Sequence, residues 1–236
     1  MHQRSGSDAV EFGRISTPAP HHYRFGNWAL AWMAAMSGIL LTVFVAIHMF
    51  GNLKAFSGPE SFNSYATWLR VAGQPLLPPG GLLWAFRIGL LAIAAVHIFA
   101  TLLITIRAIA HPAQVRTRAT LLSRGMWITG MTLLVFVILH ILDLTTGTVH
   151  HSFVATDAYG NLVASLSRPT FAGCYILAMA ALAAHLWHGL QLAVVDLGVR
   201  SARWRQFLQV GGYALALVIP LVNMSFPILI LTGVIQ

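Results

Sequence analysis

Four histidines lie deep inside long apolar stretches of this 236-residue chain, one in each of four separate stretches. An imidazole in the hydrocarbon of a membrane is costly unless something binds it, so each is a candidate for a functional site. Imidazole nitrogen is a common ligand of transition metals, and four such ligands suffice for two metal centres. The residues are His48, His97, His140 and His185, with His188 one helical turn after the last.

The composition is typical of a membrane protein. Hydrophobic residues make up 57% of the chain and charged residues 8%, and the mean hydropathy is +0.74, which excludes an ordinary soluble domain. A spanning helix needs roughly 20 mostly apolar residues. We predict an all-α membrane bundle of five transmembrane helices within residues 27–236, after a polar cytoplasmic segment, residues 1–26, that is neither a signal peptide nor a span. The five apolar stretches are residues 27–50, 82–108, 122–146, 170–197 and 207–234.

The positions of Lys and Arg predict the orientation. With a cytoplasmic N-terminus, ten of these residues fall on the inner side and four on the outer side, in keeping with the retention of basic residues in the cytoplasm. The arginines flank helix ends and form no stripe with aromatic residues, so the net charge of +8 does not indicate nucleic-acid binding. The single cysteine, Cys174, excludes a disulfide framework and an iron–sulfur site within this chain.

In this orientation the histidines sort by depth into two pairs. His48 and His140 lie near the outer ends of their helices, whereas His97 and His185 lie past the middle, towards the cytoplasm. Two imidazoles from different helices commonly fill both axial positions of a haem b iron, which suits electron transfer. A single membrane histidine is often only a helix-to-helix hydrogen bond, but four that match in depth favour two stacked haems b.

Two glycines are expected at the membrane depth of His97 and His185, which we call the inner level. Gly38 and Gly130 precede His48 and His140 by ten residues, a rise of about 15 Å along a helix. Each glycine would let a macrocycle approach the backbone closely. Small residues serve ordinary helix packing equally often.

The same ten-residue offset places a cation and a phenol near the membrane depth of His48 and His140, which we call the outer level. Arg87 and Tyr175 precede His97 and His185 by ten residues, and both are candidates for contact with haem propionates or a quinone. Arg87 is equally compatible with a role as a snorkelling anchor at a helix end.

Asp143 and the remaining histidines are polar residues whose roles are interpreted separately. Asp143, one turn past His140, is either a proton-relay carboxylate beside a quinone or a helix-end acid at the interface. Histidines in polar segments are expected to be solvated at the surface; these are His21, His22, His111, His150 and His151.

Three motifs resemble the b558-type cytochrome b subunit of succinate:quinone oxidoreductases. The first is HMFGNLKAF with GPESFNSYA, residues 48–56 and 58–66. The second is SRGMWITG leading to FVILHILDLT, residues 123–130 and 136–145. The third is HLWHG, residues 185–189. The resemblance extends over about residues 27–235.

This resemblance implies a five-helix, two-haem anchor in the cell membrane. It implies that His48 and His140 hold the distal, outer haem, and that His97 and His185 hold the proximal haem. His188 is an alternative fourth ligand; His185 is preferred because relatives with one histidine here keep it four residues before the glycine matching Gly189. His188 would then contact a propionate or orient its neighbour.

The implied function is electron transfer between succinate or fumarate and a quinone, usually menaquinone. A flavoprotein subunit and an iron–sulfur subunit would bind on the cytoplasmic side, with a further small membrane subunit as an additional possible partner. Ser123 and Arg124 join the candidates for propionate or quinone contacts, and Asp143 and Glu60 are the candidate acids for quinone protonation. Two alternatives stay open: a two-haem cytochrome b of a hydrogenase or formate dehydrogenase, and a haem-free membrane anchor or transporter.

Overall fold

The computed structural model describes residues 26–110 and 117–236, without the side chains of residues 117–124. Residues 1–25 lie outside this part, so the prediction of a separate N-terminal segment stays a prediction. The described residues form seven α-helices: α1 Asn27–Asn52, α2 Pro59–Val71, α3 Gly81–Ala110, α4 Thr117–His140, α5 Ala158–Leu166, α6 Pro169–Asp196 and α7 Ala202–Leu231.

Five of these helices are long and apolar enough to cross a membrane. Their spans agree with the five predicted stretches, so the prediction of an all-α bundle with five spanning helices is confirmed. The spans are Asn27–Ser57, Gly81–Ala110, Gly125–Thr145, Pro169–Asp196 and Ala202–Leu231. The cytoplasmic position of the N-terminus stays a prediction.

Local sequence signals account for several helix ends. Pro169 opens α6 at its first position, where a missing N–H has no consequence. The Ser201 side chain caps α7 by accepting a hydrogen bond from the Trp204 N–H, as N-cap serines commonly do. After His140, α4 continues as a π-helical turn, Ile141–Thr145, and the chain turns at Gly147, whose φ of +70° favours glycine.

Two short helices, α2 and α5, lie between the spans, where the sequence predicts only connecting segments. The side chain of Asn63 on α2 joins them, because its Nδ2 donates to Asp157 Oδ1 over 2.9 Å and its Oδ1 accepts from the Tyr159 N–H over 2.9 Å. Asp157 caps the start of α5. The two helices therefore form one polar unit at one end of the bundle.

The spanning helices pack in the order α3, α1, α6, α4, with α7 against α6 and α1. A core of small and aliphatic side chains, including Ala178 and Ala216, joins α1, α6 and α7, because small residues let membrane helices approach closely. In the described part of the chain, α1 makes no extensive contact with α4, nor α3 with α6. These are the helix pairs that carry the predicted histidine pairs.

Candidate metal centres between four helices

His48 on α1 faces His140 on α4. The two ring centroids are 6.0 Å apart and the ring planes meet edge to face at 85°. Phe44 stacks on the His48 ring, with 5.6 Å between centroids, and Phe136 lies 5.7 Å from His140. Aromatic rings one turn before each histidine thus flank this pair.

His97 on α3 faces His185 on α6 in a second pair. Their ring centroids are 6.4 Å apart, and the planes meet at 68°. The structure therefore brings together the same two pairs that depth and resemblance predict. Whether these residues bind haem stays a prediction.

The spacing within each pair suits one metal ion. A metal–imidazole bond is about 2.0 to 2.1 Å long, and adding the half-width of each ring, roughly 1 Å, gives about 6 Å between centroids. Among the described residues there is no group of three or more His, Cys, Asp and Glu side chains that could hold a metal ion. Two imidazoles need further ligands, and the four ring nitrogens of a haem would supply them.

The hydrogen bonds described for the His97 and His185 rings involve Nδ1. His97 Nδ1 lies 3.1 Å from both the Ala34 carbonyl oxygen and Ser37 Oγ, and His185 Nδ1 lies 3.1 Å from Thr129 Oγ1. Metal-binding histidines usually donate one ring N–H to such an oxygen, which fixes the other nitrogen towards the metal. In both rings Nδ1 would carry the proton, and Nε2 would bind.

The hydroxyl groups of Ser37 and Thr129 can accept a hydrogen bond from His97 and His185. Each donates its own proton to its helix, Ser37 to the Met33 carbonyl over 2.6 Å and Thr129 to the Gly125 carbonyl over 2.9 Å. A lone pair of each oxygen therefore remains for the histidine.

The glycines lie where the ten-residue offset predicts. A Cβ added at Gly38 would lie 3.1 Å from His97 Cε1, and one at Gly130 would lie 3.5 Å from His185 Cε1. Both glycines thus lie beside the His97–His185 pair. Because Gly38 shares α1 with His48, the two histidine pairs lie about 15 Å apart along the bundle.

Tyr175 lies at the level of the other pair, again as its offset predicts. Its hydroxyl is 2.8 Å from His140 Nδ1. Arg87, by contrast, contacts neither pair; its guanidinium lies 5.0 Å from the centre of the Trp84 ring. The proposed contact of Arg87 with a propionate or quinone stays a prediction.

His188 does not face His97. It is exposed on α6, and its Nδ1 lies 3.0 Å from the Ala184 carbonyl oxygen of its own helix. His185 is therefore the histidine of this segment that the structure brings opposite His97. Ser123 and Arg124 lie outside the residues whose side chains are described.

Asp143 lies in the π-helical turn and is 1% exposed. Its Oδ1 accepts from Arg168 Nη2 over 2.7 Å and lies 3.2 Å from His150 Nδ1, and its Oδ2 accepts from Ser165 Oγ. We call these four residues the Asp143 cluster. A carboxylate with both oxygens occupied in this way ties the π-helical turn to the start of α6.

The expectation that His150 is a solvated surface residue is wrong. His150 is 7% exposed, because the turn after Gly147 folds it against the carboxylate of Asp143. His151 is exposed as expected, and His21, His22 and His111 lie outside the described residues.

Glu60 lies in the first turn of α2 and is exposed, beside a shallow depression that includes Asn63 and Trp68. No described hydrogen bond or ion pair joins it to Asp143. A proton route involving both acids therefore stays a prediction.

Sequence reasoning missed the hydroxyl partners of the second pair. A signal was present: Ser37 and Thr129 each stand directly before one of the two glycines that were singled out. The hydroxyl–glycine dipeptide recurs at the same distance from His48 and His140. Arg168, one of the four basic residues that the orientation places on the outer side, pairs with Asp143.

Residues 107–221 match a protein family described as succinate dehydrogenase/fumarate reductase transmembrane subunit. The matched segment includes His140, Asp143 and His185. Comparison of the chain with curated proteins and with solved structures finds no match.

Proposed function

We propose that this chain is the two-haem cytochrome b subunit of a succinate dehydrogenase/fumarate reductase complex, because residues 107–221 match the family of transmembrane subunits of that complex. It would carry electrons between an iron–sulfur partner subunit and a quinone in the membrane. The observation that supports this most directly is the pair of facing imidazoles at each of two levels, His48 with His140 and His97 with His185.

The residues suit bis-histidine haem b. At each level the two histidines come from helices without extensive contact with each other, which leaves the sides of the imidazole pair accessible to a planar ring. Haem b held by these histidines would supply one-electron exchange. The protein holds each imidazole in place through its helix and through its Nδ1 partner, and Gly38 and Gly130 limit crowding beside the His97–His185 pair.

The predicted orientation decides which histidine pair lies on which side of the membrane. The His97–His185 pair would then lie on the cytoplasmic side, near the iron–sulfur subunit and its flavoprotein partner. The His48–His140 pair would lie near the outer face, with a quinone, menaquinone in the family resemblance, at that end. The family resemblance places the complex in the cell (inner) membrane.

Two acids are proposed to serve quinone protonation at the outer end. Asp143 lies close to the His48–His140 pair in sequence and is buried, and Glu60 is exposed on α2. The Asp143 carboxylate accepts hydrogen bonds from Arg168 and Ser165. Asp143 would thus act with its neighbours, while Glu60 would exchange protons with solvent.

The family match favours this function over the alternatives. A cytochrome b of a hydrogenase or formate dehydrogenase would hold similar haems but would copurify with a nickel or molybdenum protein. A haem-free anchor or transporter would show no haem absorption. Purification through a tag on this chain, with mass identification of companions, separates the three.

The experiment that tests the function is electron transfer to fumarate. In the purified complex, haem reduced with limiting dithionite should be reoxidised when fumarate is added. His97→Ala should remove the haem nearest the partner and slow reoxidation of the remaining haem at least a hundredfold. His188→Ala is the matched control and should keep the rapid reaction. Haem that fumarate leaves reduced in the unaltered complex would contradict the proposal.

A further inference from the structure

The two histidine pairs differ in their hydrogen-bond partners. In the His97–His185 pair, His97 Nδ1 faces the Ser37 hydroxyl and the Ala34 carbonyl, and His185 Nδ1 faces the Thr129 hydroxyl. In the His48–His140 pair, His140 Nδ1 faces the phenol of Tyr175 at 2.8 Å. Within the described part of the chain, the His48 ring has no hydrogen-bond partner.

We propose that Tyr175 is a positioning residue that sets the reduction potential of the haem held by His48 and His140, separately from that of the other haem. It does so by accepting a hydrogen bond from the Nδ1–H of His140. This inference rests on the proposed two-haem function and adds to it the residue that makes the haems unequal.

The direction of the hydrogen bond follows from ligation. If His140 binds iron through Nε2, its proton resides on Nδ1. The Nδ1–H therefore donates and the Tyr175 oxygen accepts. Donation of this hydrogen bond makes the imidazole a stronger electron donor, which stabilises ferric over ferrous iron and lowers the reduction potential.

Packing holds the phenol in place. The Tyr175 ring meets the Phe136 ring edge to face, with 4.8 Å between centroids, and packs against the buried cluster that includes Leu166 and Phe226. Tyr175→Phe should therefore keep the ring where it is and remove only the oxygen. The variant isolates the hydrogen bond from the packing.

Effects at the two levels should be separable. Tyr175 contacts the ring of His140 and has no described contact with His97 or His185. Thr129 contacts His185 and has no described contact with His140. Thr129→Val therefore removes the hydroxyl that faces His185, in the His97–His185 pair.

The test is a spectroscopic redox titration of the purified holo-complex, with the haem at His48 and His140 identified by its loss in His48→Ala. Tyr175→Phe should raise the midpoint potential of that haem and leave the other unchanged. A tenfold loss of ferric preference corresponds to about 59 mV for a one-electron couple. Thr129→Val should move only the other haem.

Tyr213→Phe is the matched control, because Tyr213 stacks on Trp187 and contacts neither histidine pair; it should move neither potential. Unchanged potentials in Tyr175→Phe, or equal shifts of both haems, would overturn the proposal. Loss of the haem from Tyr175→Phe alone would also overturn it, because Tyr175 would then be needed for haem retention. Absence of a haem at His48 and His140 in the unaltered complex would instead refute the proposed function.

Discussion

A hydrogen in place of a side chain at Gly38 leaves room beside His97. A Cβ there would lie 3.1 Å from the imidazole, and one at Gly130 would lie 3.5 Å from His185. Even ordinary contact at these positions leaves no space for a larger side chain and a macrocycle together. The identity of two small residues therefore controls access to one of the two proposed haem sites.

Gly38→Leu and Gly130→Leu should each reduce the haem content from two per chain to one. The isobutyl group would occupy the space beside the His97–His185 pair and leave the His48–His140 pair intact. Haem analysis normalised to protein measures the change. Gly89→Leu is the control, because a Cβ at Gly89 has nothing within 4 Å. Two haems in both glycine variants would show that neither glycine borders a haem.

The Asp143 cluster allows a structural role to be separated from a role in proton transfer. Removing one member of a buried ion pair leaves its partner uncompensated. Because the Arg168 side chain is 29% exposed, we expect Asp143→Asn to cost roughly 1 to 3 kcal/mol. Thermal denaturation of the complex would measure this loss.

Quinone turnover should also fall in Asp143→Asn, with both haem spectra intact. The double variant Asp143→Asn with Arg168→Gln removes both charges and should recover stability, since neither partner is left unpaired. If the double variant also recovers quinone turnover, Asp143 acts only through the structure. If turnover stays slow, the carboxylate itself is required.

At the scale of helices, the junction of α2 and α5 depends on an ionised aspartate outside the membrane spans. The backbone N–H of Gly160, and then the side chain of Asn63, hold the pKa of Asp157 below its usual value. Both groups donate hydrogen bonds of 2.9 Å to the same carboxylate oxygen. They favour the charged form of Asp157.

This junction should weaken in acid. An unfolded aspartate has a pKa of about 3.9, and the folded pKa of Asp157 is lower. Its contribution to stability is therefore fully present above about pH 4 and is lost as the pH falls through the folded pKa. Amide hydrogen exchange across α5, corrected for the intrinsic pH dependence, should show this loss of protection.

Asn63→Ala should move that loss of protection to higher pH, because it removes one of the two donors. In Asp157→Asn the step should disappear, since no carboxyl group titrates. The same acid step in Asp157→Asn as in the unaltered chain would contradict this role of Asp157.

The sequence was sufficient to predict the five spans and the two histidine pairs, because helix rise and hydropathy depend only on local order. The levels of Gly38, Gly130 and Tyr175 followed from the same ten-residue rise. The Asp143 cluster did not, because it joins residues up to 25 positions apart through a turn whose path no periodic pattern indicates. The helix α2 was missed because it is polar, and α5 because its nine residues are too few to span a membrane. Tertiary contacts such as those of Asn63 stabilise both helices.

At the scale of the whole molecule, the helix order α3, α1, α6, α4 sets two histidine pairs about 15 Å apart along one axis. Two haems held in such an arrangement would connect the two faces of a membrane. Which histidine pair lies nearer the cytoplasm depends on which end of the bundle faces it. The distribution of Lys and Arg predicts that the α6–α7 connection is cytoplasmic.

Single cysteines in a Cys174→Ser background would test this orientation. Thr156 and Arg203 are exposed at opposite ends of the bundle. A membrane-impermeant maleimide should label Thr156→Cys in intact cells whose outer face is accessible, and should label Arg203→Cys only in inverted vesicles. The reverse pattern would place the His97–His185 pair on the outer side and reverse the proposed electron path.

The central claim is that the four facing histidines hold two haems b. The most direct measurement is a pyridine haemochrome assay, normalised to protein, on the complex purified through a tag on this chain. We expect two haems b per chain, together with a flavoprotein and an iron–sulfur protein identified by mass. One haem would mean that one histidine pair is not a ligand pair. No haem would contradict the proposed function and leave the four imidazoles with structural roles.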